Sequence, residues 1–126
     1  MTAIIYGTAC GVELTWSRRA AVYEYLLEDI VKCVQDETLR EKLLYAVEIQ
    51  GFDLDALRPE HLKILSTCSK RVRQEYMSRS PGVPGSVPDY AYLVVALDEL
   101  LDIIGRLMTR PSAHGCRSPS TSSRKK

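Results

Sequence analysis

Residues 90–109 read YAYLVVALDELLDIIGRLMT, the most apolar helical pattern in the chain. Apolar side chains fall on most sides of this segment, which predicts a central helix that packs against several others. Three acids, Asp98, Glu99 and Asp102, argue against a membrane span, because each acid at bilayer depth costs roughly 2.5–3.5 kcal/mol. The acids instead predict one acidic strip that faces water, and Asp89 is the expected N-cap.

Three more segments with helical periodicity precede this one. In each of them, apolar residues recur at i, i+3, i+4 and i+7, which predicts amphipathic helices with one buried stripe. Ser17 or Thr15 is the expected N-cap of the first helix, and Asp36 is that of the second. Pro59 fits the first turn of the third helix. The expected bounds are about 17–35, 37–50 and 59–79.

The N-terminus has a different pattern. Ala3–Tyr6 is a short apolar run and Val12–Thr15 alternates, with a glycine-bounded stretch between them, so this region predicts a short β-hairpin. A lone hairpin is marginally stable in water, so we expect this one to lie against the helices. The segment Phe52–Leu57 is interpreted as a compact link between the second and third helices.

The C-terminus is basic. Residues 110–126 hold five cations, no anion and no apolar periodicity, which predicts a disordered tail. Because these cations contribute +5 to a net charge of +1, residues 1–109 carry −4. We expect residues 1–109 to form one domain, with the strand pair in 1–15 and the helices in 17–109. The predicted fold is mostly α: about four amphipathic helices in a bundle-like packing, a short N-terminal β-hairpin and a disordered C-terminal tail.

The four cysteines, at positions 10, 33, 68 and 116, are widely and irregularly spaced. Cys33 and Cys68 fall on apolar helix faces, where a free thiol behaves as a small hydrophobe. The N-terminal MTAIIYGTAC lacks the positive n-region and the long apolar run of a secretory signal. These features predict reduced thiols and a cytoplasmic protein.

Motifs that carry catalysis or bind a metal or cofactor are missing from the sequence. His114 and Cys116 lie in the basic tail without further ligands nearby, so they do not predict a zinc site. His61 and Cys68 are seven residues apart on one predicted helix, roughly 10 Å at 1.5 Å per residue, which is too far for a catalytic pair. No glycine-rich phosphate loop is present. The sequence therefore predicts a protein that is not an enzyme and that uses no cofactor or metal.

Acidic pairs at helical spacing are the first candidate binding feature. Asp98 and Asp102 lie at i and i+4 with Glu99 beside them, and Glu24 and Glu28 repeat the spacing on the first helix. One interpretation is a solvated acidic face, and the other is a docking patch for a basic protein. Like charges at i and i+4 cost a few tenths of a kcal/mol, which favours a functional reason for their presence.

Tyrosines are the second candidate, because the chain has seven of them against one phenylalanine. Tyr90 and Tyr92 stand at the start of the last predicted helix. Tyrosine suits half-buried positions and is enriched at protein interfaces. These two residues are therefore interpreted either as core-edge residues or as anchors for a partner.

This profile is typical of a protein-binding module without catalysis. In its concrete form, the hypothesis is a small inhibitor or immunity-type protein that neutralises a basic toxin or effector, with no membrane contact. Charge complementarity would speed the association. The expected partner-binding residues are Glu24, Glu28, Asp98, Glu99, Asp102, Tyr90 and Tyr92.

The main alternative is a nucleic-acid-associated regulator. The third predicted helix is the most basic of the four, and its Lys63, Lys70 and Arg73 fall roughly on one side, where they and the tail would contact phosphates. A third alternative is a homo-oligomer in which copies of the chain meet at the fourth helix.

Overall fold

The computed structural model describes residues 2–79 and 90–109. Most of these residues are helical, and the four predicted helices are present. In chain order the elements are β1 (Thr2–Ala9), β2 (Val12–Arg19), α1 (Ala20–Cys33), α2 (Glu37–Ile49), β3 (Gly51–Asp53), a 3₁₀ helix (Leu54–Ala56), α3 (Pro59–Met77) and α4 (Tyr90–Thr109).

The strands form a mixed sheet. β1 and β2 pair antiparallel across a two-residue turn, Cys10–Gly11, in which both residues have positive φ, 52° and 82°. This is the primed turn geometry that matches the twist of a hairpin. β3 lies on the other side of β1 and runs parallel to it, with Phe52 opposite Ile5. The predicted hairpin is therefore wrong as a complete description, because its two strands belong to a three-stranded sheet in the order β2-β1-β3.

Two features of this sheet escaped the sequence pattern for physical reasons. β3 is only three residues long, too short to show alternation, and with the 3₁₀ helix it occupies the segment expected to be a simple link. β2 extends to Arg19, which pairs with Thr2, so the predicted boundary after residue 15 is wrong. Ser17 and Thr15 consequently lie in the strand and do not cap α1. The N-cap position is Arg19, which makes no side-chain capping hydrogen bond.

The core lies between one face of the sheet and the helices. Ala3, Ile5 and Trp16 are buried, whereas Ile4 and Tyr6 on the opposite face are exposed. This alternation is expected of a sheet with one covered face. α4 packs against α3 and also against β1 and β2, and α1 contacts the sheet as well as α2 and α3. Because the sheet shares the core with the helices, the predicted bundle-like packing is not confirmed.

α2 begins at the cap that the sequence predicts. Asp36 Oδ1 accepts a hydrogen bond from the Leu39 amide at 2.9 Å, which satisfies one of the free N–H groups of the first turn. Chiefly through this hydrogen bond, the pKa of the Asp36 carboxyl lies below its ordinary value. The nearby His61 lowers that pKa further, while burial acts in the opposite direction.

We expect Asp36→Ala to lower the melting temperature by several degrees at neutral pH and by much less in acid. A carboxyl group with a depressed folded-state pKa contributes stability above its ordinary pKa of 3.8, and this contribution is lost as the pH falls through the lower folded-state value. Thermal melts of both proteins followed by circular dichroism, from about pH 2 to about pH 7, measure the difference. A difference that does not change with pH would contradict the prediction.

No helix within the described residues is long and apolar enough to cross a membrane. The expected N-cap Asp89 and the expected tail, residues 110–126, lie outside the described residues.

Candidate functional site

The acidic strip of α4 is present, and each of its acids is paired with an arginine. Asp98 Oδ1 lies 2.5 Å from Arg73 Nε on α3. Glu99 pairs with Arg18 on β2. The third pair, between Asp102 Oδ2 and Nε of the arginine one turn later on α4, measures 3.0 Å. The acidic side chains stay half or more exposed, at 50–63%, so solvent reaches all three pairs.

These acids form one wall of a groove between β2 and α4, which we call the β2–α4 groove. The groove has a volume of about 510 Å³. Its lining includes four carboxylates and one arginine, together with two apolar side chains. The lining residues are Glu13, Leu14, Thr15, Asp98, Glu99, Asp102, Ile103 and Arg106.

Trp16 fixes the distance between the two walls. Its indole ring is buried on the inner face of β2, and Nε1 donates a hydrogen bond to the Ala96 carbonyl of α4 at 2.8 Å. The guanidinium of Arg18 lies 5.3 Å from the centre of the same ring, within the range of a cation–π contact. β2 and α4 are therefore held together beneath the groove by one buried side chain, while the groove itself stays open.

The acids of α1 lie elsewhere. Glu24 is half-buried, and its Oε2 accepts a hydrogen bond from Gln50 Nε2 at 2.8 Å, which links α1 to the end of α2. Glu28 is exposed one turn further along α1. Neither residue lines the β2–α4 groove. The two acidic strips that the sequence placed together as one docking feature therefore do not line one common groove.

Tyr90 belongs to a cluster of aromatic side chains between α1, α3 and α4. Its ring centre lies 5.3 Å from that of Tyr76, and its hydroxyl oxygen is 3.2 Å from the Tyr25 hydroxyl and 3.1 Å from Arg79 Nη1. Burial, followed by the contact with Tyr90, raises the pKa of Tyr25 to about 12. Tyr90 is therefore engaged inside the fold, whereas Tyr92 is 44% exposed. Neither tyrosine lines the β2–α4 groove.

Of the three basic residues of α3 that were expected to contact phosphates, two are exposed and one is paired with an acid. Lys63 and Lys70 are exposed, but Arg73 is engaged by Asp98 through both its Nε and its Nη2, at 2.5 Å and 3.5 Å. One of the three cations expected to contact phosphates is thus already paired with an acid.

The β2 side of the groove was not among the expected site residues. Glu13, Leu14 and Thr15 were recognised as a strand, but nothing in their local pattern indicated that α4 would lie beside them. The one available signal was Glu13 itself, the single acid of a strand whose other charged residues are Arg18 and Arg19.

Within residues 2–79 and 90–109, no cluster of three or more histidine, cysteine, aspartate or glutamate side chains has a geometry that could hold a metal ion.

The cysteines of the described residues are in two states. Cys33 and Cys68 carry free thiols whose pKa values are raised, chiefly by burial, whereas Cys10 is disulfide-bonded. The expectation of reduced thiols is therefore wrong for Cys10.

His61 is fully buried at the start of α3. Its Nε2 lies 3.5 Å from Asp36 Oδ1 and 3.3 Å from Arg58 Nη2. A substrate would not reach this imidazole without opening the core.

Comparison with known protein families, curated protein sequences and solved structures finds no match to this chain. The geometry of the β2–α4 groove is therefore the basis on which a function is inferred.

Proposed function

We propose that this protein is a non-catalytic protein-binding module that receives a basic segment of a partner protein in the β2–α4 groove. The observation that supports it is the lining of the groove, in which four carboxylates from two different elements lie beside Leu14 and Ile103. A concave site in which polar groups converge beside apolar side chains is a usual form of a binding site. The burial of His61 also favours binding over catalysis.

The intramolecular ion pairs are compatible with such a partner. Exposed salt bridges contribute only about 0–1 kcal/mol each, because solvent screens them and both side chains lose freedom. A lysine or arginine from a partner can therefore replace Arg73 at Asp98, or Arg106 at Asp102, at little cost. While no partner is bound, these arginines offset the mutual repulsion of the acids on α4.

In its most specific form, the proposal is a small inhibitor or immunity-type protein whose groove meets the basic cleft of a toxin or effector. Electrostatic complementarity of this kind raises association rates by roughly 10–1000-fold at low ionic strength. The cytoplasmic setting stays a prediction, and the disulfide at Cys10 argues against it, because disulfides are rare in cytosolic proteins. The acids of α1 and the two tyrosines at the start of α4 stay predicted contacts outside the groove.

The test compares two variants that change the net charge equally. A groove variant carries Asp98→Asn, Glu99→Gln and Asp102→Asn, and a control variant carries Glu37→Gln, Glu41→Gln and Glu48→Gln on the exposed side of α2. Each protein is immobilised and used to capture partners from an extract of its host at low and at moderate salt. We expect the wild type and the α2 control to retain the same basic protein at low salt. The groove variant should retain about tenfold less of it, or none. Equal retention by both variants would contradict the proposal.

The nucleic-acid alternative is addressed by the same experiment. Exposed Lys63 and Lys70 are the observation in its favour. Retention of nucleic acid that falls steeply with salt and requires these lysines would support it. Retention of protein that survives nuclease treatment and requires Asp98 and Asp102 would support the docking groove instead.

A further inference from the structure

β2 is an edge strand along its full length of eight residues. On one side it pairs with β1, and no other residue that the structure describes pairs with its outer side. An open edge presents unpaired N–H and C=O groups that can accept another strand. The β2–α4 groove runs beside this edge at Glu13, Leu14 and Thr15.

The register identifies the backbone groups that point outward. In a hairpin with a two-residue primed turn, the residues that flank the turn, Ala9 and Val12, form a hydrogen-bonded pair. Hydrogen-bonded and non-hydrogen-bonded pairs alternate along an antiparallel ladder. The N–H and C=O groups of Glu13, Thr15 and Ser17 therefore face away from β1, toward the outer edge.

We propose that the partner segment binds as an added strand on the outer edge of β2, extended, with lysine or arginine at every second position. An added strand continues the sheet, so alternate side chains point to the face that α4 covers. There they meet Asp98, Glu99 and Asp102, while the backbone bonds to the outward groups of β2. This mode of binding rests on the proposed function, since it specifies how the partner occupies the same groove.

The charges favour such a partner over a second copy of the chain. Two copies joined edge to edge at β2 by a two-fold axis perpendicular to the sheet would place both α4 helices on the same side of the combined sheet. Across the axis, each acidic strip would then meet the strip of the other copy, whose arginines are already paired with its own acids. A partner strand with basic side chains on that side would instead bring new cations to the acids of α4.

The first test uses a synthetic peptide of eight residues, the length of β2, with alternating lysine and valine. Two isomers carry N-methyl groups either on every valine or on every lysine. Successive amides of a strand point to opposite edges, so each isomer blocks one edge with the same composition. Binding to the full-length protein is measured by fluorescence anisotropy at low salt. We expect one isomer to bind as the unmodified peptide does and the other to bind about tenfold more weakly or worse.

The isomer that loses binding also reports the strand direction. In antiparallel addition the outward-facing valines bond to β2, so methylated valines block binding. In parallel addition the bonding amides belong to the lysines. Equal binding of both isomers, equal loss of both, or no binding of the unmodified peptide would overturn the strand-addition proposal.

A variant of the protein provides the second test. Thr15→Pro removes an outward N–H group without removing one from the β1 ladder, and proline is tolerated at such edge positions. Thr15→Val is the matched control, because it keeps the N–H group. We expect the proline variant, folded as judged by circular dichroism, to bind the peptide about tenfold more weakly than the valine variant.

The outcomes separate this inference from the proposed function. If host partner capture needs the acids of α4 but Thr15→Pro and Thr15→Val capture equally, the groove binds a partner by another mode and only strand addition is overturned. If neither the acids of α4 nor Thr15 affects capture, both proposals fail. Light scattering could also show that the wild type is a dimer and that Thr15→Pro is a monomer. That result would overturn the proposal of a basic partner strand, because the edge of β2 would then bind a second copy of the chain.

Discussion

Replacing Trp16 with alanine is expected to lower the free energy of unfolding by about 3–5 kcal/mol, the largest effect of any substitution considered. The side chain is 2% exposed and fills the space between β2 and α4. Its removal leaves a cavity that the surrounding residues can close only partly. It also removes the hydrogen bond that the indole donates to the Ala96 carbonyl of α4.

Urea unfolding followed by circular dichroism measures this loss, because Trp16 is the only tryptophan and its fluorescence disappears with it. Trp16→Phe is the matched variant, since it keeps most of the apolar volume and removes the hydrogen bond. We expect that variant to lose about 1–3 kcal/mol, because phenylalanine fills less of the space and cannot make the hydrogen bond of the indole to α4. A loss below about 1 kcal/mol for Trp16→Ala would show that this side chain does not hold β2 to α4.

The second large effect is expected at Gly7, in the middle of β1. A Cβ atom at this position would lie 2.7 Å from Leu107 Cδ1 and 3.2 Å from Leu107 Cδ2, and the same leucine is buried beneath the sheet. Gly7→Val adds two more methyl groups to this contact. We expect a loss of about 1–3 kcal/mol from overpacking, which exceeds the gain of up to about 1 kcal/mol from the higher strand propensity of valine.

Gly105→Ala is the control for this prediction. Its added Cβ meets no atom within 4 Å, and the residue lies inside α4. Because glycine is less favourable than alanine in a helix by up to about 1 kcal/mol, this variant is expected to gain stability. The two glycine variants should thus shift the urea midpoint in opposite directions. A stabilised Gly7→Val would mean that Leu107 moves aside freely.

Taken together, Trp16 and Gly7 explain how an open groove is maintained over a closed core. The indole of Trp16 and the missing side chain of Gly7 let α4 approach the inner face of the sheet closely. The acids of α4 consequently lie beside β2 rather than in open solvent. The stability variants and the binding variants therefore act on different residues of the same interface, which allows folding and binding to be measured separately.

Local patterns were sufficient to predict the helices. The i, i+3, i+4 periodicity and the cap at Asp36 act within a few residues, so α2, α3 and α4 could be placed from the sequence. The same periodicity predicted that Asp98 and Asp102 lie on one side of α4. Helical geometry alone determines that relation, whatever the helix packs against.

Tertiary packing decided everything that joins distant segments. β3 exists as a strand because β1 pairs with it, and β2 continues to Arg19 because Thr2 lies opposite. The groove exists because the indole of Trp16 bonds to α4, which brings Glu13 beside acids more than eighty residues away in the chain. Spacing along a sequence carries no record of such contacts, because the same amphipathic segments could bury their apolar faces against other neighbours.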